Sequence, residues 1–232
     1  MFCSVFRQTD ARNLLTVKKF AVCLVVLTAA HCLGVPDPVR LKYEPSEPKF
    51  LVPVGPYGRD YEEAVRKILD KRWGFGTMIY ETVGKFFAVS VWGKDYANYD
   101  YDHPLHNFIT YLELDGASGD AKATKDVDVP IDIDFAIAVQ RAWATMLLKS
   151  RYPEKSFLGA DGYTAEFSVE VRSVGGVYAY TWSPSGGLTK EIVELGSALA
   201  DYCKAPGEER PKLRQNLIAR LKDFEQKAAK AR

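Results

Sequence analysis

The chain has 232 residues, with 31 Lys and Arg against 30 Asp and Glu, a formal net charge of +1. That near-balance excludes the strongly basic profile of a nucleic-acid binder. An aromatic content of 12% over this length calls for a folded, well-packed body and excludes a disordered one.

The N-terminal region reads as an export signal. Lys18 and Lys19 precede an apolar run, Phe20 to Ala30, of the length of a signal-peptide core. Thr28-Ala29-Ala30 suits a small-residue cleavage site and leaves His31 first in the mature chain. The run is shorter than the roughly 20 residues a membrane-spanning helix needs. Residues 1–30 are therefore expected to be removed, with Val17 as a candidate true start. The competing reading is a buried core helix, but the run shows neither a polar face nor caps. The expected location is periplasmic or secreted.

Cysteine use follows from that cut. Cys3 and Cys23 precede it, which leaves Cys32 and Cys203. In an oxidising compartment the two can pair. Cys32 is also a candidate lipid attachment point, although His31 is not the small residue a lipoprotein box prefers. Lipid at Cys32 is the one membrane contact expected. Residues 1–30 hold four basic residues (Arg7, Arg12, Lys18, Lys19) and one acidic (Asp10), so the remainder carries 27 basic and 29 acidic residues, a net of −2.

Residues 31–56 form a proline-rich arm. Six of the twelve prolines lie between Val35 and Pro56, and proline fixes φ and removes backbone donors. One short strand fits, at Phe50 to Val54. Residues 57–232 then read as one domain. Tyr61, Val65, Ile68 and Leu69 recur at helical spacing over Arg59 to Trp73. Thr77 to Val83 and Lys85 to Trp92 read as a hairpin turning at Gly84, and Phe108 to Leu114 as a third strand. DVDVPIDID, Asp126 to Asp134, alternates acid and apolar residues as an exposed edge strand, since Pro130 cannot donate to a ladder. Asp134 is a candidate cap for the next helix.

Phe135 to Arg151 carries an apolar stripe through Val139, Ala142, Trp143 and Met146. Tyr163 to Arg172 and Val177 to Trp182 form a second hairpin through Gly175-Gly176. Helices follow at Leu188 to Cys203 and Pro211 to Ala229. Strands cluster in hairpins. The expected class is α+β, a mainly antiparallel sheet built from two hairpin blocks with four helices packed against it, on one face.

The segment KDYANYDYDHPLH, Lys94 to His106, is the candidate binding loop. It interleaves Tyr96, Tyr99 and Tyr101 with Asp100 and Asp102, then His103. Tyrosine offers amphipathic contact area at little entropic cost, and loops between strands commonly carry binding. The plainer alternative is that these tyrosines pack back onto the sheet. Pro104 between His103 and His106 keeps them off one helix face, so no metal and no cofactor is expected. No GxSxG elbow is present, and Ser183 and Ser185 have no nearby histidine. Asp161 and Glu166 are the least arbitrary pair of carboxylates for hydrolysis. Residues 95–134 carry ten acidic and two basic residues, whereas 208–232 carry four and eight.

These features point to an exported envelope protein that binds or inhibits a protein partner, immunity- or inhibitor-like and non-enzymatic. The alternatives are a periplasmic hydrolase acting on cell-wall glycan or peptide through carboxylates, and a structural envelope protein.

Overall fold

A computed structural model describes residues 51–53, 60–70, 72, 74–82, 85–94, 106–115, 122–152 and 162–231. The chain divides into two units, Met1–Pro45 and Ser46–Arg232, and all described residues belong to the second. Its elements in order are β1 (Val52–Pro53), α1 (Asp60–Leu69), β2 (Gly76–Thr82), β3 (Lys85–Gly93), β4 (Asn107–Asp115), β5 (Lys122–Ile131), α2 (Ile133–Leu147), β6 (Tyr163–Val171), β7 (Gly175–Trp182), α3 (Gly187–Lys204) and α4 (Arg210–Lys230). This is an α+β fold. Among the described residues, seven strands form one sheet in the order β1-β7-β6-β2-β3-β4-β5, and every pairing is antiparallel. The two hairpins meet through their first strands, β2 and β6.

The strand expected near residue 50 is present as β1. The acidic strand is β5, and it is an edge strand, as its proline requires. The cap of α2 differs from expectation. Asp132, not Asp134, holds the N-cap, and its side chain accepts from the Phe135 N–H. Ile133 opens the helix, so Asp134 already lies inside the first turn.

The arrangement of the helices also differs from expectation. The helices do not all share a face. Met78, Val89, Ile109, Tyr111 and Phe167 pack with α2, α3 and α4 residues such as Trp143, Leu195 and Phe224. Ile79, Ala88, Leu112 and Leu114 point the other way and pack with Val65 and Leu69 of α1. The strands carry apolar residues at both parities, so each face needs cover. A period-two pattern by itself does not say which helix supplies it.

Close approach is bought with glycine at two places. A Cβ at Gly76 would lie 3.0 Å from Val139 Cγ1, where α2 crosses β2. Trp143 of α2 is buried there and donates from Nε1 to the Thr77 carbonyl at 3.2 Å. On α3, a Cβ at Gly196 would lie 2.2 Å from Met78 Sδ. The helix backbone therefore sits directly on the sheet. The outer helix α4 packs on α2 and α3 through Leu217, Leu221, Phe224 and Ala228. Lys149, just past α2, donates from Nζ to the carbonyls of Ala228, Ala229 and Ala231 at 2.7, 2.8 and 2.9 Å. A cation on those terminal carbonyls satisfies the acceptors that the helix itself leaves open.

Candidate functional site

The central strands build a row of aromatic rings on the face shared with α3. Tyr80 of β2 stands opposite Phe87 of β3, and the rings stack at 5.0 Å and 23°. Tyr163 of β6 lies diagonally across from Tyr80, since Tyr80 pairs with Ala165, and these rings stack at 5.0 Å and 27°. Tyr111 of β4 continues the row, 5.9 Å from Phe87. Lys204 of α3 places its ammonium 4.8 Å from the Tyr111 ring centroid, a cation–π contact. Cross-strand aromatic pairs stabilise a sheet by about 0.2–1 kcal/mol each. Partial exposure at Tyr80 and Tyr163 leaves ring surface for something else to use.

That surface lines an open groove of about 470 Å³, whose helix side carries Glu194, Ser197 and Asp201 of α3 and Arg220 of α4. Glu194, Ser197 and Asp201 follow one another at helical spacing, so they form one stripe above the rings. Burial raises the phenols of Tyr80 and Tyr163 above their ordinary range, and at Tyr163 the neighbouring Tyr80 and Glu194 add to the rise. Both hydroxyls therefore stay protonated near neutral pH and can donate. The carboxylates are only lightly committed. Glu194 faces Lys190 at 3.9 Å and Asp201 faces Lys204 at 3.1 Å, both surface pairs within one helix. Such pairs stabilise by well under about 1 kcal/mol, so a ligand cation can displace the lysines.

The opposite face carries a polar line in register across the sheet. Tyr178, Ser168, Thr77, Ser90, Thr110 and Asp128 stand opposite one another in successive strands. Ser90 and Thr110 are 0% exposed. Thr77 and Ser90 share a hydrogen bond at 2.8 Å. Trp92 donates from Nε1 to Thr110 Oγ1 at 2.8 Å, and Thr110 donates on to Asp128 Oδ1. Arg72 closes the line, at 2.7 Å from Asp126 and 3.5 Å from Asp128. The acid alternation of β5 thus serves ion pairs. Among the described residues, no three His, Cys, Asp or Glu side chains converge to hold a metal ion.

The sequence-based candidates fall unevenly. Tyr96, Tyr99, Asp100, Tyr101, Asp102 and His103 lie outside the described residues, as do Cys32 and Asp161. The neck of their loop is described. Lys94 donates its N–H to the His106 carbonyl at 2.9 Å, and Trp92 stacks on Phe108 at 5.0 Å. This neck is at the end of β3 away from the groove. Glu166 is 5% exposed and lines a cavity of about 20 Å³ under α1, with Arg66 and Tyr178 also on its wall. That volume admits a single water, so Glu166 has no room to face a polymeric substrate. Cys203 carries a free, buried thiol whose Sγ lies 3.8 Å from the Ile109 carbonyl. Burial pushes that thiol up to about 12.

Sequence reasoning missed the groove. Its rings sit in different hairpins, and only the β2–β6 pairing brings them together. The one local signal was the polar stripe of α3 at Glu194, Ser197 and Asp201.

Over 94 residues the chain is 31% identical to an S-adenosylmethionine decarboxylase proenzyme 2 of Bacillus cereus (strain ZK / E33L), a span that covers 73% of that protein and 40% of this chain. The chain belongs to the S-adenosylmethionine decarboxylase proenzyme family. More than half of this chain lies outside the matched span. No family model matches the chain, and no solved structure matches it at a significant level. No helix among the described residues is long and apolar enough to cross a membrane.

Proposed function

We propose that this chain binds S-adenosylmethionine in the groove beside Tyr80 and Tyr163. The observation that carries the reading is the stacked Tyr80–Tyr163 pair beneath the Glu194–Asp201 stripe. S-adenosylmethionine combines a flat purine with a sulfonium and an ammonium. Phe87 and Tyr163 already cover the two faces of Tyr80, so a purine would stack on the face of Tyr163 turned away from Tyr80, a contact worth about 0.5–1.5 kcal/mol. The two cationic centres suit two carboxylates and the ring faces. Family membership supports the same ligand class, because the relative is named for acting on it.

Titration calorimetry of the purified chain with S-adenosylmethionine tests this. The expected result is saturable binding that Tyr163→Ala and Asp201→Asn each weaken about tenfold, the loss of about 1.4 kcal/mol. Absence of saturable binding by the wild type, or unchanged binding by both variants, overturns it. Release of labelled carbon dioxide from carboxyl-labelled S-adenosylmethionine is the readout that extends the proposal to the reaction in the relative's name.

A second reading keeps the exported, partner-binding role for residues 96–103. The hydrogen-bonded neck at Lys94–His106 and the Trp92–Phe108 stack favour it, because a clamped base suits a presented loop. Cell fractionation, followed by pull-down from envelope extract with the wild type and a Tyr99→Ala, Tyr101→Ala, Asp102→Ala variant, tests it. A protein confined to the cytosol, or capture indifferent to the three changes, counts against this reading.

A further inference from the structure

We infer that Arg220 is the specificity residue of the groove and reads the carboxylate of its ligand, so that the site prefers S-adenosylmethionine to the analogue lacking that carboxylate. The inference rests on the ligand proposed above and adds a discrimination that the family name does not contain. Arg220 belongs to α4, the outer helix, yet it lines the same groove as Tyr80, Tyr163, Glu194 and Asp201.

The other groove-side charges are anionic. Two carboxylates and one guanidinium face the space, and S-adenosylmethionine offers two cations and one carboxylate. Each ligand charge therefore has an opposite on the protein. The decarboxylated analogue keeps both cations and loses the anion. It leaves the Arg220 charge opposite a dication with nothing to bind.

Arg220 is available for this task. Elsewhere on α4, Arg214 is engaged by Asp132, Lys227 by Glu191 and Asp223, and Arg210 by the Ala205 and Cys203 carbonyls. Arg220 is exposed and makes no hydrogen bond or ion pair among the described residues. Guanidinium binds carboxylate through two parallel N–H bonds, a geometry that lysine does not reproduce.

The experiment measures affinities of wild type, Arg220→Gln and Arg220→Lys for three ligands: S-adenosylmethionine, its decarboxylated form and 5′-methylthioadenosine. Thermal melts confirm that the variants fold, as expected for a surface position. Wild type should bind S-adenosylmethionine about tenfold more tightly than the decarboxylated form, the scale of one charge-assisted contact. Arg220→Gln should erase that ratio and leave methylthioadenosine binding unchanged. Arg220→Lys should restore the ratio only in part. Equal weakening of all three ligands, or an unchanged ratio in Arg220→Gln, overturns the inference and leaves the ligand proposal standing. Failure of the wild type to bind any of the three removes the ligand proposal and this inference with it.

Discussion

Asp132 serves two elements at once. Its Oδ1 accepts from the Phe135 N–H at 3.0 Å and caps α2, while its Oδ2 accepts from Arg214 Nε of α4 at 2.6 Å. One carboxylate thus starts an inner helix and pins the outer one. Burial pushes its pKa up, but the Phe135 N–H and the Arg214 guanidinium outweigh that, and the net shift is downward. A carboxylate held below its unfolded value adds stability that is fully present above about pH 3.9 and is lost as pH falls through the folded value. Asp132→Ala should lower stability by about 1 kcal/mol through loss of the cap alone. Asp132→Asn keeps a capping side chain and should cost less. It should also flatten the dependence of stability on pH below about 4. Chemical denaturation across pH 2.5–7 reads both effects, and equal losses in the two variants would show that the cap contributes nothing.

Gly196 sets the height of α3 above the sheet. Alanine improves helix propensity by about 1 kcal/mol. However, its Cβ would sit 2.2 Å from Met78 Sδ and 2.7 Å from Met78 Cε, inside a filled core. Overpacking costs about 1–3 kcal/mol, because the buried Met78 thioether must move to relieve the contact. Gly196→Ala should therefore lower the melting temperature, by about 2–4 °C per kcal/mol lost. A melting temperature equal to or above that of the wild type would refute the packing argument.

Thr110 is the link between Trp92 and Asp128. Thr110→Val keeps the shape and removes both hydrogen bonds, which leaves the Trp92 N–H without its acceptor. An orphaned donor costs about 1–3 kcal/mol. Thr110→Val should lower the unfolding free energy by that amount, read as a lower urea midpoint at an unchanged slope. A midpoint within error of the wild type would mean that solvent replaces the contact.

Cys203 should be chemically silent in the native state. Its thiol is buried and held near a pKa of about 12, and the thiolate is the reactive form. Alkylation at pH 8 followed by peptide mass spectrometry should leave the Cys203 peptide unmodified until denaturant is added. Modification of the native protein at the rate of a free thiol would contradict its placement. The sign of the accompanying pH effect is fixed. The folded value is raised, so the stability contribution is whole below the unfolded value of about 8.5 and declines as pH rises toward 12.

The helix-face core, the edge position of β5 and the limits of α3 and α4 were legible in the chain itself, whereas α2 begins two residues earlier and ends four residues earlier than its apolar stripe suggested. Periodic apolar spacing, a proline in a strand and breakers such as Gly186-Gly187 are local signals, and local signals survive without a tertiary context. The placement of α1 was not legible, because alternation marks two faces without naming the helix that covers each. The groove was not legible either. Tyr80 and Tyr163 are 83 positions apart and become neighbours only when β2 pairs with β6.

By itself, then, the sequence determined the element types, the antiparallel α+β class and which residues avoid water. Tertiary structure decided which avoiders meet. Strand order in a sheet is set by long-range backbone pairing and by the shape that helices must fill, and neither is encoded in a window of ten residues. That is why Arg220, unremarkable on a basic amphipathic helix, ends up facing two tyrosines and two carboxylates from three other elements.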